Sequence, residues 1–449
     1  MSDSPPVADT REPADVVVPL RHTPYPYWLV SDTGSGLSMR MLSFAMPLIA
    51  LMITNSPVQA GIISAVTVVV TIVATMLGGV LADRHSRGRI MVVGGVASTA
   101  LSAAFTALAW SGSLTFATLL TASIVMGFSS TVFAMATDPM LKDIVPAAMV
   151  GRATAANQGR DATISLASGP LSGSLLGAGA WLVGAVMTVV DAIALVASAL
   201  LVRRTERDAA RPSATERESA AAPTSRRGLR AARAELGEAF GWLWRRGDLM
   251  NLIVIVMLIN MGLGVIVTTT IYALQQNGAS GFEIGLVSAS GGVGMLLGSF
   301  AAPWAVRTVP TGMLVVVALA WFTAGSALLV VIDSLWGIAV TLMLCCLVSP
   351  AVNACIGGYM MVATPSAMLG RVNAAESVMM GIVAPVAPLV AGIGFTFLGR
   401  SSTIGIGIAL TVASIVVMLA TKPTRSIPVD SGWEAHAASF QREPVVARA

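Results

Sequence analysis

The chain has 449 residues, of which 55% are hydrophobic and only 11% are charged, and its formal net charge is +4. A soluble domain carries roughly 25% charged residues, so this composition excludes a water-soluble globule and predicts a protein that lies mostly in lipid. In such a protein, basic residues report on membrane orientation, and we expect no nucleic-acid partner.

Twelve apolar segments are each long enough to cross a bilayer as a helix, which takes about 20 residues. The first six lie near 28–54, 59–82, 90–110, 115–137, 160–178 and 181–202. The second six lie near 249–274, 282–304, 311–332, 336–360, 376–398 and 402–420. The predicted fold class is therefore an all-α membrane protein with twelve transmembrane helices.

Polar segments divide the chain into five parts: a tail (1–24), a first bundle (25–204), a linker (205–248), a second bundle (249–421) and a second tail (422–449). The linker begins with a charged stretch rich in Ala, Ser and Pro, which is typical of a flexible connection. Its later residues Leu229, Leu236, Phe240 and Leu243 share one helical face, which predicts an amphipathic helix on the membrane surface. The polar tail after Thr421 is expected to lack fixed structure.

The basic residues predict the orientation. Almost all of them fall in the tails, the linker or alternate connections, while the connections on the other side of the membrane hold only Arg400. Positively charged loops stay in the cytoplasm, so both termini and the linker are predicted to be cytoplasmic. The N-terminus lacks the basic start and apolar core of a secretory signal. We expect a multi-pass protein of the plasma membrane.

The two halves of the chain resemble each other. MLGGVLADRHSR (76–87) aligns with LLGSFAAPWAVR (296–307) at an offset of 220, and GRATAA (151–156) aligns with GRVNAA (370–375) at an offset of 219. The same alignment matches Gly78 with Gly298 and Gly173 with Gly392. Two matches at nearly one offset predict two six-helix bundles related by pseudo-symmetry.

The stretch GGVLADRHSRGRI (78–90) sets an acid and three arginines beside paired glycines. Topology anchoring accounts for the arginines but not for Asp83, because acidic residues contribute little to orientation. The stretch resembles the cytoplasmic signature of the major facilitator superfamily, roughly G-x-L-A-D-R-x-x-R-x-R. The matching residues are Gly79, Leu81, Ala82, Asp83, Arg84, Arg87 and Arg89, while Ser86 replaces the family's usual glycine.

This resemblance implies a gating role for the turn, which in the family latches the two halves in the outward-facing state. Asp83 is then expected to cap the start of the eleventh helix and to pair with a nearby arginine. A carboxylate at a helix N-terminus contributes about 0.3–1 kcal/mol, which is small enough to be broken in every transport cycle.

A second motif lies in the fifth span, where SGPLSGSLLG holds Gly169, Pro170, Gly173 and Gly177. Small residues four apart form a seam for close helix packing, although Gly and Pro are also common in membrane helices without such a role. The stretch resembles the G-P-x-x-G-G core of the superfamily's exporter signature, with Ser174 at the second glycine. Longer phrases, such as FAMPLIALMITNSPVQAGIISA, IVPAAMVGRATAANQGRDA and VVDAIALVASALLVRR, resemble the branch of macrolide-efflux and enterobactin exporters.

Five ionisable residues in or near the spans are candidates for proton coupling or substrate binding: Asp191, Arg40, Asp32, Asp161 and Glu376. Charged groups at the bilayer centre cost at least about 2.5–3.5 kcal/mol and usually mark function. For four of these residues a structural role is the alternative.

The structural alternatives are a buried hydrogen bond for Asp191, snorkelling for Arg40, a surface pair with Arg160 for Asp161, and an N-terminal helix charge for Glu376. Asp32 is a second candidate for coupling.

The sequence therefore predicts a secondary transporter that works by alternating access and is not an enzyme. It has no G-x-x-x-x-G-K-[ST] motif for ATP, and we expect no cofactor and no metal site. The expected substrate is a small amphipathic compound, namely an antibiotic, drug or siderophore, exported by a monomer in exchange for protons. An importer or lipid flippase on the same fold and a transport-dead sensor or scaffold are the alternatives.

Overall fold

The computed structural model describes residues 23–84, 86–135, 137–145, 149–209 and 229–441. For some helical residues, including Gly79, Asp83, Arg84 and residues 229–236, it describes the backbone position but not the side chain. Helices are the regular structure of these ranges. The long apolar runs of the sequence account for them, because a helix satisfies every backbone hydrogen bond within its own segment, as lipid requires.

The described residues of the first half form seven helices, α1 to α7. Their bounds are α1 (Tyr25–Thr54), α2 (Pro57–Arg84), α3 (Arg87–Trp110), α4 (Phe116–Ala134), α5 (Thr137–Ile144), α6 (Val150–Ala178) and α7 (Ala180–Ala209). All except the short α5 correspond to the first six predicted spans. The stretch between 210 and 228, which holds most of the predicted flexible linker, lies outside the described residues.

The second half begins with the linker helix α8 (Leu229–Arg245). It continues with α9 (Gly247–Gln276), α10 (Gly281–Thr308), α11 (Thr311–Val331), α12 (Leu335–Cys346), α13 (Ser349–Ala363), α14 (Ser366–Val383) and α15 (Val386–Ala420). Two short helices, α16 (Lys422–Arg425) and α17 (Trp433–Gln441), follow.

Three crossings differ in detail from the predicted spans. The tenth is divided into α12 and α13, and the eleventh is divided into α14 and the first part of α15. The second part of α15 is the twelfth, because Gly399 turns the chain with φ 77° and ψ 178°. Ten segments of the described chain are long and apolar enough to cross a membrane, and one of these, Met368–Ala420, holds the last two crossings. The remaining crossing, α6, is not among these ten segments because the start of this helix is polar.

Because the crossings alternate in direction, α1 begins and α15 ends at the same face, which we call the terminal face. The opposite face, where α1 ends and α2 begins, is the far face. Close glycine contacts are repeated in the two halves. A Cβ on Gly78 of α2 would lie 2.9 Å from the Val132 Cα of α4, and a Cβ on Gly298 of α10 would lie 1.8 Å from the Leu347 carbonyl oxygen after α12. Gly78 and Gly298 are at equivalent positions in the internal repeat of the sequence.

The helix α8 packs on the second bundle at the terminal face. Leu243 of α8 is fully buried, whereas Trp244 is 80% exposed. Glu238 of α8 accepts a hydrogen bond of 2.7 Å from Arg371 of α14. At the junction with α9, the Arg246 guanidinium donates two hydrogen bonds of 2.9 and 2.8 Å to the buried Asp248 carboxylate. The predicted amphipathic character of the helix therefore has a protein-facing side in its last turns.

The prediction that the tail after Thr421 lacks fixed structure is wrong for residues 422–441. Trp433 is buried and its indole N–H donates to Thr311 Oγ1 at 3.0 Å. The Tyr359 hydroxyl donates to Asp248 Oδ2 at 3.0 Å and lies 2.9 Å from His436 Nδ1. Because the single hydroxyl proton of Tyr359 goes to the carboxylate, His436 donates from Nδ1. One aromatic anchor and a polar network thus dock α17 on the second bundle.

Candidate functional site

A cavity of about 610 Å³ lies between the two bundles. This volume is typical of a small-molecule site. Helices α1 and α2 of the first bundle form one wall, and α9, α14 and α15 of the second bundle form the other. The lining is mostly apolar, with hydroxyl and amide groups and one charged residue: Ser43, Phe44, Pro47, Leu48, Ser64, Val68, Val256, Asn260, Met261, Gly264, Thr268, Ile271, Tyr272, Glu376, Met380, Val383, Ala384, Ala387 and Pro388.

Glu376 on α14 is the charged residue of this wall. Together with Val256 it also lines an adjoining cavity of about 360 Å³, which includes Asn353 and Asn373. The carboxylate therefore lies where the two cavities meet, and it makes no ion pair among the described residues. The interpretation of Glu376 as an N-terminal helix charge is wrong, because α14 begins ten residues earlier at Ser366.

The bundles meet at the far face through two glycine seams. On one side, a Cβ on Gly173 of α6 would lie 1.9 Å from the carbonyl oxygen of Gly281 on α10. On the other, a Cβ on Gly392 of α15 would lie 2.4 Å from the Pro57 carbonyl oxygen and 3.3 Å from the Cα of Gly61. Since the repeat relates Gly173 to Gly392, the seams are pseudo-symmetric. The Gln275 amide also donates to the Leu48 carbonyl at 2.8 Å across the bundles.

The exporter-type motif supplies half of the first seam. A Cβ on Gly169 would lie 3.2 Å from the Gly285 carbonyl oxygen, and one on Gly285 would lie 2.6 Å from the Pro170 Cα. Gly177, by contrast, has no atom within 4 Å of an added Cβ. Three of the four motif residues thus form the contact between the bundles, and Gly177 stands outside it.

The proposed gating residues lie where α2 ends and α3 begins, at the terminal face. The backbones of Gly79, Asp83 and Arg84 belong to the end of α2, but their side chains lie outside the described structure. Arg87 and Arg89 lie in the first turn of α3, and Arg89 is exposed. The latch remains a prediction from the sequence.

Asp191 lies inside the first bundle and not in the central cavity. Its side chain is 3% exposed, and its Oδ2 accepts hydrogen bonds from Ser102 at 2.6 Å and from Ser38 at 3.1 Å. A small pocket of about 50 Å³ adjoins it. The carboxylate thereby connects α7 to α3 and α1, as the alternative of a buried hydrogen bond anticipates.

The other three candidates lie along α1 and α6. Arg40 is exposed, donates to Ser165 at 3.1 Å, and lies one helical turn from the cavity residue Phe44. Asp32 and Asp161 share one cation, since Arg160 bonds to both carboxylates. The structure therefore brings Asp32 into the pair that the sequence predicts only for Asp161.

Sequence reasoning missed the polar face of α9. Asn260, Gly264, Thr268 and Tyr272 recur at intervals of four residues, and all line the cavity. A spacing of four keeps side chains on one face of a helix. This stripe of small and polar residues in an otherwise apolar run was the available signal.

Two six-helix bundles around a central cavity define a membrane transporter fold. The family model described as "Major Facilitator Superfamily" matches residues 32–276, which is more than half of the chain. The chain therefore belongs to the major facilitator superfamily, whose members are transporters and not enzymes. No curated protein matches the chain.

Solved structures with the same fold share little sequence with this chain. A bacterial homologue of the iron transporter ferroportin, in an inward-facing state, has a TM-score of 0.66 at 12% identity, over 88% of this chain and 97% of its own. A D-xylose–proton symporter has a TM-score of 0.60 at 13% identity, over 90% and 98%. A bacterial homolog of the human lysosomal transporter Spinster, inward-facing and unoccupied, has 0.60 at 13% identity, over 95% and 98%. At these identities the likeness establishes the fold.

Proposed function

We propose that this protein exports a small amphipathic compound in exchange for protons, and that Glu376 is the carboxylate through which the two are coupled. The observation that carries the proposal is the position of Glu376: it is the charged residue of the central cavity and has no described ion-pair partner. A carboxylate that faces a cavity can bind either a proton or a cationic group of the substrate. If Glu376 cannot bind the proton and the substrate at the same time, the protein exchanges one for the other across the membrane.

The lining of the cavity favours one class of substrate. Its phenylalanine, proline and methionine side chains present apolar and adaptable surface, since the methionine thioether is flexible. Among the residues that the structure describes, no basic residue lines this cavity. An acidic siderophore would meet Glu376 without a compensating cation in this wall, so a cationic or neutral drug-like compound fits better.

The direction of transport follows from the orientation that the basic residues predict. With the terminal face in the cytoplasm, the glycine seams close the outer side of the protein, and the cavity at Glu376 is loaded from the inner side. The exporter-type motif contributes the α6 side of one seam. We infer that Arg40, one turn from the cavity wall, helps to position the substrate on the first bundle.

Inverted membrane vesicles test this proposal directly, with the lipophilic cation ethidium as the probe. We expect a pH gradient, acid inside, to drive ethidium into vesicles that contain the protein. The Glu376→Gln variant should lose this driven uptake by at least about tenfold, because a neutral amide binds no proton at neutral pH. Glu434→Gln, which changes an exposed acid on α17, is the matched control and should retain it.

A second measurement separates coupling from binding. If Glu376 carries only the proton, the Glu376→Gln variant keeps the exchange of labelled for unlabelled ethidium without a gradient. If Glu376 also binds the cation, that exchange is lost as well. Uptake that ignores collapse of the pH gradient contradicts proton exchange, and substrate movement only in the opposite direction indicates an importer or flippase.

A further inference from the structure

We propose that Asp191 and the hydroxyl groups around it form a sodium-binding site inside the first bundle, separate from the central cavity. The carboxylate is 3% exposed, and both of its described hydrogen bonds, from Ser38 and Ser102, go to Oδ2. None of the described residues donates a hydrogen bond to Oδ1. One carboxylate oxygen is therefore held in place by two helices, and the other is available to a ligand.

The pocket beside Asp191 is rich in oxygen ligands. Its walls include the hydroxyl residues Ser31, Ser35, Ser98, Ser130 and Thr137, in addition to the two serines that bond to Asp191. The Ser130 hydroxyl donates to the Gly127 carbonyl of its own helix at 3.2 Å, so its lone pairs stay free to accept. Carboxylate and neutral oxygen donors suit hard cations and not thiophilic metals.

The size of the pocket fits an ion and not an organic substrate. Its volume is about 50 Å³. Since a water needs roughly 10–15 Å³, the pocket has room for an ion with a few waters. The central cavity is more than ten times larger and is lined by different residues of α1. The two sites therefore take ligands of different kinds.

The charge of the pocket selects a monovalent cation. Asp191 is the charged residue among those that line it. An isolated carboxylate in the interior of a membrane bundle is costly unless a cation compensates it. One sodium ion brings the net charge to zero, whereas a divalent ion leaves an excess charge of +1. Of the common monovalent ions, sodium is the smaller and harder one, which suits hydroxyl and carboxylate oxygens.

Binding of radioactive sodium to the purified full-length protein in detergent tests the site without any transport substrate. We expect saturable binding of one ion per chain at pH 8. Asp191→Asn should abolish it, and Ser102→Ala should weaken it by about tenfold, the usual effect of one hydrogen bond to a charged group. Asp161→Asn, which changes a half-exposed acid on α6, is the control and should leave the affinity unchanged.

A thermal-unfolding measurement covers the case in which Asp191→Asn fails to fold. A ligand that binds only the native state raises the unfolding temperature by mass action. Sodium chloride should therefore stabilise the unaltered protein more than choline chloride or potassium chloride does, and Ser102→Ala should reduce this difference. Equal stabilisation by all three salts, or sodium binding that survives in Asp191→Asn, would overturn the proposal.

The central cavity provides an independent reference. Glu376→Gln should bind sodium as well as the unaltered protein does, because Glu376 does not line the pocket. Loss of ethidium transport with intact sodium binding would show that the two sites are separable. Sodium binding that depends on Glu376 instead of Asp191 would place the ion in the central cavity and contradict the proposed site.

Discussion

Gly173 and Gly281 approach each other so closely at the far face that a Cβ on Gly173 would lie 1.9 Å from the Gly281 carbonyl oxygen. An atom in that position forces α6 and α10 apart by about 1 Å before the contact reaches even 3.0 Å, the limit below which neighbouring atoms must shift. Packed interfaces accommodate such changes poorly. The seam therefore depends on glycine at this residue.

We predict that Gly173→Ala destabilises the state in which the far face is closed. Spin labels at Ser113 and Asn277, which are exposed near that face in the two bundles, should show a longer distance in the variant. The native cysteines Cys345, Cys346 and Cys355 are buried and should not take up label. Gly177→Ala is the matched control, since its Cβ meets no atom within 4 Å. An unchanged distance in Gly173→Ala would contradict the seam.

The cluster of Asp32, Arg160 and Asp161 leads to a second prediction. Arg160→Gln removes the hydrogen-bonded ion pair between Arg160 and the Asp32 side chain, which is 21% exposed. Loss of a charged hydrogen bond of this kind costs about 1.5–3 kcal/mol. Asp161 is 50% exposed, so Asp161→Asn should cost at most about 0.5–1 kcal/mol.

Thermal unfolding in detergent checks the order of the two variants. We expect Arg160→Gln to lower the unfolding temperature clearly more than Asp161→Asn does. Because Arg160→Gln removes both ion pairs, equal effects would mean that the Asp161 pair accounts for the whole loss, and the structural role that we assign to the Asp32 pair would then be wrong.

The docking of α17 depends on the absence of a side chain at Gly358. A Cβ there would lie 2.6 Å from the Trp433 ring, which cannot turn away freely because its N–H bonds to Thr311 Oγ1. Gly358→Ala should therefore release residues 433–441, which hydrogen exchange would detect as lost protection. At the adjacent Gly357 a Cβ meets nothing within 4 Å, so Gly357→Ala should keep the protection.

The same docking should depend on pH through His436. Burial lowers the pKa of His436 from its ordinary value of 6.5; the nearby Asp248 carboxylate raises it, and Arg246 lowers it further. Docking therefore favours the neutral imidazole. The docked state is fully favoured above a pH of about 6.5, the free value, and weakens as the pH falls below it.

Hydrogen exchange of residues 433–441, corrected for the intrinsic effect of pH, measures this dependence. We expect less protection at pH 5.5 than at pH 7.5 in the unaltered protein. His436→Gln should remove the difference, because an amide does not titrate in this range. If the tail loses protection equally in both proteins, a group other than His436 controls the docking.

Much of the fold follows from the apolar runs and the internal repeat, because lipid leaves the chain few alternatives to crossing helices. The breaks within the tenth and eleventh crossings were not predictable from proline alone. Pro350 and Pro385 lie at the two breaks, but Pro47 and Pro170 lie inside helices that continue. Neighbouring helices can satisfy the backbone groups that a proline frees, so tertiary packing decides where a helix is interrupted.

The candidate site was harder to predict than the fold. Glu376 and Asp191 are both acids in apolar surroundings, and the sequence does not show that one faces the central cavity while the other faces its own bundle. That difference depends on the rotation of α14 and α7 about their axes. The tail was misjudged for a related reason: its composition is polar, yet the single anchor Trp433 and the network at His436 are enough to hold it.

The interruption at Ala384 and Pro385 divides the eleventh crossing into two parts that contact different elements. The part beyond it is clamped to α2 by Gly392, whereas the part before it carries Glu376 and is joined to α8 through Arg371 and Glu238. A bend at this joint would therefore move Glu376 without separating Gly392 from α2. Such a bend would change access to Glu376 through one helix alone.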